Sequence, residues 1–141
     1  MFNNYFHIFP FNQINKDSIG FDMGCGSGRW ARLIAPRVKK LICIEPSKRA
    51  INEAKNNLSE FSNCQFLNYD VHTNPLNDNS QDFGYCLGVL HHITDTKIGL
   101  ENCVKKLKKG APFLLYLYYR FDNKPLWYQI IWKTTNLFRV L

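Results

Sequence analysis

Short runs of β-branched, aromatic and other apolar residues alternate along this chain with stretches whose apolar positions recur every three or four residues. The first pattern suits strands, the second amphipathic helices, and their alternation is what parallel strands joined by crossover helices require. The fold class is therefore α/β: a Rossmann-like, doubly wound, mostly parallel sheet of about five strands. Strands are expected at residues 18–23, 40–45, 64–67, 82–89 and 112–119. The last is almost continuously apolar, as a strand covered on both faces is.

The first helix is expected to open near Gly28, to carry Trp30, Leu33 and Ile34, and to stop at Pro36. Ser47 is placed to cap a second, with Ala50, Ile51, Ala54 and Leu58 on its buried face. Thr94 or Asp95 caps a third, which uses Ile98, Val104 and Leu107 and ends at Gly110. A last helix from Pro125 is expected to pack Trp127, Ile130, Ile131, Phe138 and Leu141 on the sheet. There is no linker, internal repeat or low-complexity block, so residues 1–141 read as one domain.

With 45% hydrophobic and 15% aromatic residues in 141, the chain can bury a core. It has no apolar run long enough to span a bilayer and no basic head before an apolar block, which disfavours a spanning or secreted protein. Five cysteines is an odd number without a C-x-x-C pair, and Cys25, Cys43, Cys86 and Cys103 lie in apolar or Gly-rich contexts. Reduced thiols, a cytoplasmic location and no bound metal are expected. The net charge of +7 invites a nucleic-acid partner. Its location does not: Arg37, Lys39 and Lys40 follow one expected helix and Lys105, Lys106, Lys108 and Lys109 close another, where cations complement free carbonyls. No nucleic acid is expected to bind.

The stretch Ile19 to Trp30 runs a strand into Gly24, Cys25, Gly26, Ser27 and Gly28 before a helix. Alternate glycines let the backbone turn tightly and approach a ligand with no Cβ between. Glu45, 21 positions beyond Gly24, falls at the end of the second strand, from which a carboxylate reaches a ribose diol in doubly wound sheets. Position 29 is Arg, so the third glycine comes one residue early for the dinucleotide fingerprint, and no Gly-Lys-Ser/Thr phosphate loop occurs. Asp22 just before the turn repels a pyrophosphate but attracts an ammonium and a sulfonium. The sign of charge favours S-adenosylmethionine.

The Asp-x-Gly-x-Gly-x-Gly turn, the acid after strand two, Asn68-Tyr69-Asp70, Asp82 and Gly88-Val89-Leu90-His91-His92-Ile93 resemble class I S-adenosylmethionine-dependent methyltransferases over roughly residues 14–119. The likeness is to the broad small-molecule methyltransferase group that includes quinone-ring methylating enzymes. The resemblance implies a small-molecule methyl acceptor, with Asp22, Gly24, Cys25, Gly26 and Gly28 around the methionine portion and Glu45 on the ribose hydroxyls. Pro46 and Ser47 would border the adenosine. Asp70 would sit beside the adenine, with Val71 or Tyr69 against its face, and Leu87 and Gly88 would line the crevice. Arg29 and Trp30 are further candidates beside the turn.

Adjacent side chains seldom chelate one ion, so His91 and His92 do not read as metal ligands. They are the catalytic candidates: a neutral imidazole near the transferred methyl can orient or deprotonate a hydroxyl or carbon acid, against a plain capping or packing role. The family's sheet has seven strands, and the 22 residues after position 119 leave room for a turn and one helix. An incomplete domain without the final antiparallel pair is therefore expected, with a fifth strand whose apolar edge favours self-association. The loop Arg120-Phe121-Asp122-Asn123 is placed to touch an acceptor. Two rival readings remain open: a nicotinamide-dependent oxidoreductase, and a non-catalytic cofactor-binding remnant or partner subunit.

Overall fold

The computed structural model describes residues 5–118, 125–128, 130 and 131. Five strands, β1 (Ile19–Met23), β2 (Lys40–Ile44), β3 (Cys64–Leu67), β4 (Phe83–Leu87) and β5 (Phe113–Tyr116), form one sheet in the order β3-β2-β1-β4-β5. Every pairing is parallel. Helices α1 (Ala31–Ile34), α2 (Lys48–Asn57) and α3 (Thr96–Lys106) lie in the connections, and a 3-10 turn, Ala35–Arg37, extends α1 through Pro36. The chain steps from β1 outward through β2 to β3, then returns to β4 on β1's other side. That reversal opens a crevice between the carboxyl ends of β1 and β4, where sheets of this kind place ligands.

The near-continuous apolar strands are explained by two covered faces. Leu41, Cys43, Phe83, Tyr85 and Leu114 pack with Ile34, Ile51, Ala54, Leu58 and the amino-terminal Phe6 and Phe9. Phe21, Met23, Ile42, Ile44 and Cys86 pack with Leu90, Cys103 and Leu107 on the other face. β1, β2, β4 and β5 are shorter than expected, stopping short of Ser18, Glu45, Asp82, Val89 and Leu117, while β3 has its expected bounds. Asp82 accepts the Ile19 N–H at 2.8 Å and pairs with Lys108 at 2.6 Å, which gives it a structural role at the edge away from the crevice.

Ser47 caps α2 as expected, its hydroxyl accepting the Ala50 N–H at 3.3 Å, with Ile51, Ala54 and Leu58 buried. Ser47→Ala should cost about 1 kcal/mol, read as a lowered melting temperature by scanning calorimetry; an unchanged melt would contradict the cap. In α3 the cap is Asp95, not Thr94, and the buried face is Gly99 and Cys103 followed by Leu107. Ile98 and Val104, expected inside, are about half exposed. The missing side chain at Gly99 lets the helix close on Ile93 and Leu90, and that contact sets which face turns inward. Gly110, with φ +81°, serves the turn after the helix rather than its last residue.

Leu126 to Tyr128, Ile130 and Ile131 are helical, but Leu126, Trp127, Ile130 and Ile131 are exposed instead of packed on the sheet. Phe138, Leu141 and the Arg120 to Asn123 loop lie outside the described residues. β5 is the outer strand of the described sheet. Lys105 and Lys106 pair with Asp78 at 3.1 and 2.9 Å. All five cysteines are free thiols, four of them buried. No helix among the described residues is long and apolar enough to cross a membrane.

Candidate functional site

The glycine turn is suspended from the end of β2. The Gly24 and Cys25 N–H groups both donate to the Ile44 carbonyl, at 2.8 and 3.0 Å. Glu45 then clasps the turn: one carboxylate oxygen accepts the Gly26 N–H at 3.1 Å and the other the Ser47 N–H at 3.0 Å. Asn68, beyond β3, donates to the carbonyls of Glu45 and Pro46 at 2.8 Å each and holds the clasp from the far side. Pro46 itself is exposed. A carboxylate has about four lone-pair sites, so Glu45 keeps acceptor capacity toward the crevice.

The three glycines are left-handed, with φ of +79°, +53° and +86°, but they are not equivalent. A Cβ on Gly24 would overlap Val89, and one on Gly28 would stand 2.7 Å from the Leu58 side chain. Around Gly26 a Cβ would meet nothing within 4 Å. Two glycines thus serve close packing, and the middle one borders open space.

Beneath the turn, Asp22 is paired in register with Cys43 on one side and Tyr85 on the other, and is 1% exposed. Its Oδ2 and the Tyr85 hydroxyl are both buried without a hydrogen-bond partner of good geometry among the described residues. Burial pushes the Asp22 carboxyl up to about 8, the nearby Tyr85 hydroxyl opposing and the Glu45 charge adding to it. Contacts with the Cys25 and Cys64 thiols, together with burial, raise Cys43 far above the ordinary thiol range. Cys25, in the turn itself, is buried, its sulfur 3.6 Å from the Gly26 carbonyl.

On the β4 side, half-buried Leu87 ends the strand and Gly88, at φ +76°, donates its N–H to the Tyr116 carbonyl at 2.9 Å. The nearest side chain to a Cβ at Gly88 would be His91, at 4.0 Å. Both His91 ring nitrogens are buried and unpartnered among the described residues. Burial, then the neighbouring His92, lowers its pKa and keeps the imidazole neutral. His92 is exposed beside it, ring centres 4.0 Å apart.

Beyond β3, Asp70 is exposed, and one of its oxygens already accepts from the His72 N–H (2.7 Å), the Thr73 N–H (2.8 Å) and the Thr73 hydroxyl (3.0 Å). These bonds, the Thr73 N–H first, hold its pKa below the usual carboxylate range. Val71 turns inward, joining Ile44 and Leu90 in the core, so of the two residues expected at an adenine face only Tyr69 is exposed. Tyr85, in register with Asp22, and Tyr5, Tyr116 and Tyr118, linked ring to ring between Trp30 and His91, are not legible in the sequence as neighbours of these candidates, because strand order and the amino-terminal segment bring them there and local pattern encodes neither.

An open cradle at Gly26, spare acceptor capacity on Glu45 and an orphaned buried oxygen on Asp22 fit a ligand carrying hydroxyls and positive charge. Residues 21–115 match the family described as Methyltransferase domain. The chain belongs to that family. S-adenosylmethionine is the cofactor this membership implies, and a nicotinamide is not favoured. An uncharacterized methyltransferase of Bacillus subtilis, YcgJ, is 27% identical over 107 residues, covering 74% of this chain and 42% of its own length. Its solved structure superposes with a TM-score of 0.69 at 25% identity, over 72% of this chain and 44% of that one. The N-methyltransferase NodS of Bradyrhizobium japonicum, solved with S-adenosylhomocysteine, shares the fold at TM-score 0.66 and 24% identity, over 71% of this chain and 52% of its own. An uncharacterized RNA methyltransferase of Clostridium tetani is 36% identical over 59 residues, 40% of this chain and 13% of its own length. The chain spans less than half the length of the curated relatives it matches.

Proposed function

We propose that this chain binds S-adenosylmethionine in the crevice between β1 and β4 and transfers its methyl group to a small-molecule acceptor, in a reducing, cytoplasmic compartment that suits its five free thiols. The observation that carries this reading is the Glu45 clasp, which joins the open glycine at position 26 to the end of β2. Glu45 holds the ribose hydroxyls through its remaining lone pairs, while Pro46 and Tyr69 flank the adenosine. The Gly24 to Gly28 turn lies along the methionine portion, and Leu87 and Gly88 close the other wall. Asp22 favours the positive charge from below without touching it in this conformation, since its side chain is covered.

When bound, the cofactor supplies an electrophilic methyl on sulfur, so the protein needs no covalent nucleophile. What it must do is align acceptor and donor and exclude water. Neutral His91, with two unpartnered but covered ring nitrogens beyond the end of β4, can accept a proton or hydrogen bond from the acceptor once a shift of neighbouring side chains uncovers one of them. Glu45→Ala tests the site: affinity for S-adenosylhomocysteine by titration calorimetry should fall by about 1 to 3 kcal/mol. An unchanged dissociation constant would remove Glu45 from the site, and no binding to folded wild-type protein would refute the reading.

A further inference from the structure

The rings at the carboxyl edge of the sheet form a connected arc beside the glycine turn. Trp30, two residues past Gly28, lies 5.0 Å from Tyr5 between ring centres, and Tyr5 lies 4.8 Å from Tyr116 at the end of β5. Tyr116 is 5.6 Å from Tyr118, and Tyr118 is 4.4 Å from His91. All are spacings at which aromatic rings attract one another. The arc thus runs from the glycine turn on one wall of the crevice to His91 on the other. Tyr5 and Tyr116 also line a recess of about 400 Å³ with Ile8, Leu87 and Leu114, within the size range of small-molecule sites.

Charge narrows the occupant. None of these residues is acidic. Arg29 sits 4.9 Å from the Trp30 ring centre, His7 lies at the recess, and His91 and His92 stand at the far end. Among the described residues an ammonium acceptor would find no counter-charge along the arc, whereas a hydroxyl that gains negative character on losing its proton finds the Arg29 guanidinium. Flat ring faces with an apolar floor suit a flat apolar body.

We propose that this arc is the acceptor subsite and that it takes a planar aromatic hydroxy compound, the ring lying among Tyr5, Tyr116 and Tyr118 and the hydroxyl bonded to His91. The proposal rests on the methyltransferase reading. In the step, the acceptor O–H bond breaks and its proton goes to a His91 nitrogen. An oxygen lone pair forms the new O–C bond to the methyl group. The S–C bond breaks with its pair staying on sulfur, so the positive charge passes from sulfonium to imidazolium, which releases its proton to water.

The test uses saturation-transfer NMR with 2-naphthol, cyclohexanol, benzylamine and a short single-stranded oligoribonucleotide, on protein with and without S-adenosylhomocysteine. 2-Naphthol should bind at least about tenfold tighter than cyclohexanol or benzylamine. Tyr118→Ala, at an exposed position that folding tolerates, should weaken 2-naphthol about fivefold while S-adenosylhomocysteine affinity stays within about twofold. His91→Gln should lower kcat for 2-naphthol methylation about 100-fold with a much smaller change in KM. Equal binding of cyclohexanol, preference for benzylamine or the oligonucleotide, or indifference of 2-naphthol to Tyr118→Ala would overturn the proposal. Failure of S-adenosylhomocysteine to bind, with 2-naphthol still held by the ligand-free protein, would instead overturn the methyltransferase reading, and with it the acceptor role, while the arc's selectivity for a flat hydroxy compound stood.

Discussion

Gly26→Ala should yield a folded protein that has lost about 100-fold or more of its affinity for S-adenosylmethionine. The added methyl meets no protein atom within 4 Å, so the folded state loses only what a left-handed alanine costs at φ +53°, about 1 to 2 kcal/mol. In the crevice the same methyl stands where the ligand must approach the backbone. Gly28→Ala gives the opposite balance. Its Cβ would fall 2.7 Å from Leu58, a core residue 1% exposed, so overpacking adds about 1 to 3 kcal/mol to a similar backbone cost. Melting temperature and calorimetric affinity, measured together, separate the two: Gly26→Ala loses affinity before stability, and Gly28→Ala loses stability first. If Gly26→Ala bound the cofactor as wild type does, the ligand would not lie against this turn.

That contrast also marks what sequence could supply. The three glycines and the acid 21 positions after Gly24 are legible as a site because the spacing is local: a strand, a tight turn, a helix, and one more strand. Which glycine faces the ligand is not, because the answer depends on Val89 and Leu58, distant in the chain. All five strands are legible from apolar runs, and β3 lies where the pattern puts it; the other four extend less far at one end or both, and where β1 begins the Asp82 carboxylate takes the Ile19 N–H just where the ladder stops. In α3 the periodicity admitted two faces. The small residue at Gly99 decided between them by allowing contact with Ile93, a preference that counting apolar positions cannot see. Val71 shows the same limit: nothing in its local pattern, an apolar residue near polar ones, tells that the second core cluster buries it.

S-adenosylmethionine affinity should rise with pH between about 6 and 7.5, by up to about tenfold per unit, and Asp22→Asn should remove the slope. The buried Asp22 carboxyl, pushed up to about 8, is mostly protonated in the free protein at neutral pH. The groups around it offer little compensation: Tyr85 from β4 and Cys43 from β2 are themselves pushed toward their neutral forms, and Glu45 adds like charge. A bound cation favours the carboxylate, so binding releases a proton, and calorimetry in two buffers of different ionisation enthalpy reads that proton directly. The ligand-free protein should show the mirror effect. Because the folded-state pKa lies above the unfolded 3.8, folding takes up a proton between about pH 4 and 8, and this group's contribution to stability falls as pH rises through that window, by up to about 1.4 kcal/mol per unit. Asp70, Asp78 and Asp82 have lowered pKa values and act in the opposite sense at the acid end, and His91, whose pKa is also lowered, opposes the trend in the imidazole range, so it is the difference between wild-type and Asp22→Asn melts from pH 5.5 to 8 that isolates Asp22. A wild-type affinity independent of pH, or a slope that survives Asp22→Asn, would show that the carboxyl beneath the turn does not sense the ligand's charge.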